Sequence, residues 1–354
     1  MTKYLKKYFL LLACIFFIQT QLVKAQQVSN LTISDAYEKY RDSLKKTPYE
    51  WHLPILGNKI RKAGFDIPYP NGINVLYAYS RQDIVISDAF VGFDTDNLIG
   101  IDGIARFQKI QAEVNGYSLR YDFWLLPFLN IYGILGGINS QTNIQLGLPF
   151  ELEFNTNNNG TVAGWGAVVA GAIGPLIVQG DFTMAWTFMD NLNEPARTLV
   201  AGLRTGYLFR FRDKPERNIA FLVGGQYLGL NPDGSGVVDL EKLVGITPDD
   251  KSRALEQLDQ WYDGLTDTEQ QVLAPIYDGA SRWLSSNDPV NLNYRFKKAL
   301  PYPVSLNIGI NFQWNKRYNI LANYSFLGSR NQLVFGLNYR FGFKGKNLLQ
   351  GVTL

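Results

Sequence analysis

The chain has 354 residues, of which 46% are apolar and only 18% charged, with a net charge of +3. That balance excludes a chain kept disordered by low hydrophobicity and high charge. Phe, Tyr and Trp make up 14% of it and its mean hydropathy is −0.10, too aromatic for an ordinary soluble enzyme and too polar for a bundle of membrane helices.

Lys3, Lys6 and Lys7 precede an apolar run from Tyr8 to Ile18, and Val23-Lys24-Ala25 offers a peptidase-type site before Gln26. Residues 1–25 therefore read as a cleaved secretory signal peptide. The run falls short of the roughly 20 apolar residues of a membrane anchor. Leu11-Leu12-Ala13-Cys14 resembles a lipobox, but cleavage there would split the apolar run. The leader holds four lysines and no acids, so its loss takes the net charge from +3 to −1. It also removes the single cysteine. The remaining chain gives no support for nucleic-acid binding, disulfides or a thiolate metal site.

Residues 26–70 contain a short helical pattern from Asp35 to Lys46, expected on the periplasmic side or in a barrel mouth. From residue 71 the dominant signal is period two. Val304, Leu306, Ile308, Ile310, Phe312 and Trp314 alternate with Ser305, Asn307, Gly309, Asn311 and Gln313. One strand face is thus apolar and the other polar or small. Segments near 318–326 and 333–343 repeat the pattern, as do nine earlier ones near 73–80, 104–114, 117–126, 129–138, 142–154, 161–172, 176–188, 197–212 and 217–230. Strands of about 10–14 residues with aromatics at their ends favour a transmembrane barrel over a soluble sandwich, whose strands average about 5–6 residues.

The expected fold is all-β, an antiparallel up-and-down transmembrane barrel over 71–343 with about twelve strands, ten or fourteen being open alternatives. Alternate links are short: Asn315-Lys316, Asp213 to Glu216, Ile173-Gly174-Pro175, Asn139 to Gln141 and Asn115-Gly116, the last a type I′ hairpin pair. The others include the long ones, 81–103, 155–160, 189–196 and 231–301, with Pro127-Phe128 and Gly328-Ser329 as short members. Short turns on one side and long loops on the other fit periplasmic turns and extracellular loops.

The insertion 231–301 reads as helical. One helix starts at Thr247-Pro248, and Thr266-Asp267-Thr268-Glu269 is a capping box for a second. By parity this hairpin is extracellular. Trp261, Tyr262 and Trp283 mark it as a lid or plug, the alternative being a packed external loop. Residues 344–354 form a C-terminal tail.

Chemistry is sparse. The only histidine, His52 in Trp51-His52-Leu53-Pro54, lies off every strand, away from any serine a lipid-modifying hydrolase would need. No metal or cofactor site is read, and no enzyme activity is expected. The polar strand faces place Arg120, Asp122, Glu151, Glu153, Asp181, Arg204, Arg210 and Arg340 toward the lumen. There they either line an aqueous path or pair with one another and fill it.

The stretch Asp122-Phe123-Trp124-Leu125-Leu126-Pro127-Phe128-Leu129-Asn130-Ile131-Tyr132 resembles one found in a family of poorly characterised Gram-negative outer-membrane β-barrel proteins. The likeness would span about residues 73–343. It implies fold and outer-membrane location and carries no ligand or reaction. Tyr339, Phe341 and Phe343 look like the aromatic signal read by the barrel assembly machinery, although eleven residues follow it. The functional expectation is a pore for a small solute, with a docking barrel that binds a partner through its loops as the alternative. Outer-membrane lipid and the assembly machinery are the expected partners.

Overall fold

A computed structural model describes residues 35–94, 97–102, 106–147, 151–190, 192–211, 214–240, 248–286 and 290–348. The leader, including Cys14, lies outside them. In chain order the elements are α1 (Asp35–Lys46), α2 (Gly57–Lys62), β1 (Asn71–Gly92), β2 (Ile99–Gly100), β3 (Arg106–Leu126), β4 (Leu129–Gly147), β5 (Glu151–Ile173), β6 (Leu176–Met189), β7 (Ala196–Arg210), β8 (Asn218–Leu230), β9 (Asp233–Asp239), α3 (Pro248–Asp263), α4 (Asp267–Ser285), β10 (Asn291–Ala299), β11 (Val304–Gln313), β12 (Tyr318–Phe326) and β13 (Arg330–Phe341).

Ten strands close into an antiparallel barrel. β1 pairs with β13 from Asn71↔Phe341 to Gln82↔Arg330, and with β3 from Asn71↔Phe123 to Ile84↔Ile110. Among the described residues, the ten barrel strands therefore have no open edge to meet hydrocarbon unpaired. Three further strands sit above one side. The outer half of β1 leaves β13 and pairs with β10, which pairs with β9, while β2 adds to the tip of β1.

The outer face is apolar where the alternation predicts it. On β11, Val304, Leu306, Ile308 and Ile310 are 43–57% exposed, whereas Ser305 and Asn307 on the opposite face are at most 5% exposed. The run from Val304 to Trp314 covers about 33 Å of strand, or about 25 Å along the barrel axis at a tilt near 40°, the height of a lipid-facing band. Aromatic side chains border it, with Tyr207, Phe209, Trp314, Tyr318 and Tyr339 exposed at one end and Tyr117, Phe188 and Tyr302 at the other.

Ten strands stand where the alternation counts twelve, and the reason is physical. β1, β3, β4 and β5 are 19–23 residues long, about twice what a bilayer crossing needs. On their outer faces the apolar run gives way to polar residues: Tyr117 to Asn115, Leu135 to Asn139, Ala163 to Asn159. Asn139 donates to Asn157 (2.6 Å) and Asn159 (2.9 Å), and Tyr77 donates to Asn115 (2.9 Å). The alternation fades there because the outer face turns polar; the strands run on. Asn115-Gly116 is therefore no hairpin, Gly116 being paired with both Ala78 and Ile138. Residues 139–141 and 155–160 are likewise strand. Pro127-Phe128 belongs with the short turns, because the Trp124 and Ile55 amides bond the carbonyls of Pro70 and Leu125. Residues 81–92 extend β1, and 231–301 holds β9 and β10 besides the helices.

Helices α3 and α4 pack on the tips of the long strands. Leu258, Trp283 and Leu284 are buried against Leu240, with Phe93, Val290, Leu292 and Trp261 around them. The capping box is present, the Glu269 amide donating to Thr266 and the Thr266 amide to Glu269. Tyr262 stacks on Tyr277 at 4.0 Å. Trp261, Tyr262 and Trp283 thus staple the hairpin to itself and to the strand tips.

Candidate lumen site and its two ends

Inside the barrel, side chains bond across a neighbouring strand, and glycine makes room for the crossing. Arg340 on β13 reaches Asp122 on β3 at 3.0 Å. The strand between them, β1, presents Gly72, whose absent Cβ would lie 2.7 Å from Asp122 Oδ2. Asn74 and Asn130 also donate to Asp122, at 2.7 and 2.6 Å, and Arg340 Nε donates to the Tyr69 carbonyl. Arg120 donates to Asn130 and lies 3.6 Å above the Tyr132 ring. Tyr132 in turn crosses β5 at Gly166, where a Cβ would meet its ring carbon at 2.4 Å, and contacts Thr183 Oγ1 on β6 at 2.6 Å.

A second network faces the first. Arg204 pairs with Asp181 and donates to Asn307 at 2.7 Å, passing β8. Asn307 donates to Ser325, which donates to Gln226. Asp122, Asn307 and Ser325 are at most 2% exposed, so no water column touches them. Five of the charged residues assigned to the lumen from sequence (Arg120, Asp122, Asp181, Arg204, Arg340) are therefore brought together in two paired clusters. Arg210 is exposed at the short-turn mouth, 4.8 Å from the Tyr37 ring. Glu151 and Glu153 pair with Gly147 and Gln145 at the far end of β4 and β5, and their side chains lie outside the described residues. The lumen face of β6 stays partly open, with Gln179, Thr183, Ala185 and Thr187 half-buried.

The short-turn mouth carries a cap built from residues 35–70 and the tail. Tyr40 donates to Asp66 at 2.6 Å, and Lys316 reaches Asp66 at 3.1 Å. Burial, reinforced by the Asp66 carboxylate, holds the Tyr40 phenol well above its ordinary range. Burial likewise raises that of Tyr49, which donates to the Leu53 carbonyl. Asn347 donates to the carbonyls of Trp51, His52 and Pro54, and His52 Nδ1 sits 2.9 Å from the Lys346 carbonyl. His52 thus belongs to the seam between cap and tail. A cleft of about 350 Å³ lies between Tyr40, Lys214, Arg217 and Trp314. Tyr339 and Phe343 are exposed on the outer face, with Phe341 between them at 6.1 and 5.6 Å.

The opposite end holds two cations that sequence reasoning passed over. Arg330, ten residues before Arg340 and on the same face, is 7% exposed, and its Nε and Nη2 have no hydrogen-bond partner. Lys298 shares a face with Ile86, and burial lowers the pKa of its ammonium. The lumen-side positions nearby are Gln82, Ile84, Ile110 and Ala112, the last two 4% exposed. Among the described residues, no carboxylate lies on that face of β1, β4, β10 or β13, and the one on β3, Asp122, stands twelve residues beyond Ile110 and is paired with Arg340.

No known protein family and no curated protein matches the chain. Similar solved structures include the outer membrane protein OprG from Pseudomonas aeruginosa, at 9% identity over 78% of this chain and 100% of that one (TM-score 0.37). The β domain of the Bordetella autotransporter BrkA is 9% identical over 77% and 99% (TM-score 0.35). The translocator domain of the Neisseria meningitidis autotransporter NalP is 11% identical over 91% and 98% (TM-score 0.33).

Proposed function

We propose that this is an integral outer-membrane barrel that passes a small solute through a gated lumen. Closure, an even number of barrel strands and an aromatic-bordered apolar band about 25 Å tall support the membrane reading. The observation that carries the passage is that no lumen-facing position of β6 from Gln179 to Thr187 is fully buried, with Gln179 and Thr187 polar and outside the two packed networks. On this reading the short turns and the cap are periplasmic, and the α3–α4 hairpin is extracellular. Tyr339, Phe341 and Phe343 present the aromatic face by which the assembly machinery would take the last strand. Planar-bilayer recording tests the proposal: stepwise conductance is expected, increasing when residues 241–289 are replaced by a short Gly/Ser link. Silence from both forms refutes a pore. A docking role has one observation in its favour, the polar outer wall that β1, β3, β4 and β5 raise above the band, and it would leave both forms silent.

A further inference from the structure

We infer that the long-loop end of the lumen is a binding site for a small organic carboxylate with an apolar body, with Arg330 as the principal anion ligand and Lys298 as the second cation. This names the solute class of the proposed pore and rests on that reading where passage is concerned.

A guanidinium buried without partners is costly, because each desolvated donor left unmade loses its hydration and gains nothing in return. The other lumen arginines each have at least one partner, although the Arg120 Nε is left bare while its Nη2 donates to Asn130. Arg204 has Asp181 and Asn307, and Arg340 has Asp122 and the Tyr69 carbonyl. Arg330 stands apart, with Nε and Nη2 both unpartnered at 7% exposure. Adjacent Nε and Nη hydrogens form the fork that takes two carboxylate oxygens at once.

The surroundings select what the anion is attached to. Arg330 is paired with Gln82 on β1, and Lys298 with Ile86 four residues further along the same face, about 13 Å of strand. Between and beside them lie Ile84, Ile110 and Ala112, an apolar wall with no acid on it. Inorganic phosphate or acetate would satisfy the cations and leave that wall unused. A neutral hydrocarbon would use the wall and leave the guanidinium bare. An aryl or branched alkyl carboxylate uses both.

The test is fluorine NMR titration of 4-fluorobenzoate against the full chain in phosphatidylcholine nanodiscs. Saturable binding is expected, with 4-fluorobenzyl alcohol and acetate each at least tenfold weaker. Arg330→Gln is expected to weaken 4-fluorobenzoate at least tenfold, and Lys298→Gln several-fold. Val85→Gln, whose side chain is on the outer face, should leave it unchanged. Should Arg330→Gln fail to fold, Lys298→Gln and the two control ligands decide the matter. Unchanged affinity in the cation variants overturns the assignment, as does an alcohol that binds as tightly as the acid. If phosphatidylglycerol in the disc abolishes binding, the site takes lipid head groups and the solute assignment is overturned. Equilibrium binding needs no conductance. A barrel that binds but stays silent refutes the pore and keeps the site; one that conducts without binding does the reverse.

Discussion

The height of the apolar band can be tested by moving one charge along the outer wall. Ile308 is the third of six outward positions between Val304 and Trp314 and is 47% exposed. An arginine near the bilayer midplane of such a barrel costs about 2–4 kcal/mol, and near or beyond the interface about 0–1 kcal/mol. Gln141 faces outward on β4 beyond Asn139, where the wall has turned polar. Ile308→Arg should therefore lose about 3 kcal/mol and Gln141→Arg almost nothing. With a guanidinium slope of about 4 kcal/mol/M, that is a midpoint lowered by about 0.7 M in the first variant only. Unfolding would be followed by tryptophan fluorescence in phosphatidylcholine vesicles, with the slope checked for constancy. Equal midpoints for the two variants would refute the placement of the band, and with it the explanation of why β3, β4 and β5 outrun the alternation.

Three further outcomes are expected. Arg204→Ala leaves Asp181 and Asn307 buried without their donor and should destabilise by about 3–5 kcal/mol, while the Asp181→Ala/Arg204→Ala pair costs less than the sum of the singles in a double-mutant cycle. Gly166→Val drives a side chain into the Tyr132 ring and the Phe182 carbonyl and should cost about 1–3 kcal/mol or more, whereas Tyr132→Phe loses only hydroxyl contacts and about 1 kcal/mol by the same unfolding assay. Folding raises the Tyr40 phenol above its ordinary value of 10.0, so its contribution is complete below that pH and is lost as pH climbs past it. Amide exchange across residues 35–66 should accordingly accelerate above pH 10 in wild type, and less so in Tyr40→Phe.

What the sequence makes legible follows the solvent. β11, β12 and β13 run between the apolar band and the lumen for their whole length, so period two persists with only Leu321 and Val334 as apolar exceptions on the inner face, and their partners can be read in order. β3, β4 and β5 cross the same band and then rise out of it. Beyond Asn115, Asn139 and Asn159 both faces are polar or mixed, so nothing in the pattern separates a continuing strand from a turn. An Asn-Gly pair at that boundary reads as a hairpin although it is strand. The lumen has a different obstacle. Parity assigns Arg120, Asp122, Arg204 and Arg340 to one face, but two of the contacts that join them, Arg340 to Asp122 and Arg204 to Asn307, span two strands, over Gly72 and past β8. Only an inward glycine beside a long polar side chain hints at such a crossing. Arg330 has the same parity as Arg340, and what distinguishes it is the lack of a partner, which only the packed structure reveals.

The distribution of these contacts also says where the barrel can open. In the lumen, each ion pair is buried and shared with amides, so breaking one member leaves uncompensated charge at a cost of several kcal/mol. The cap is held differently. Lys316–Asp66 is partly exposed, and Lys344–Glu50 is 77% and 57% exposed, a kind of pair whose median worth is about 0–1 kcal/mol. The Asn347 amide, buried and donating to three carbonyls, and backbone bonds from Gly345 to Glu50 and from Leu348 to His52 fix the tail to the segment around Trp51. The ion pairs that hold residues 35–66 at the barrel mouth are thus weaker than those of the Asp122 and Arg204 clusters, and main-chain bonds such as Ile55 to Leu125 carry the rest of the attachment. On the proposed pore reading, a solute entering at the Arg330 end would pass a lumen wall held by buried pairs and reach a cap held by more exposed ones.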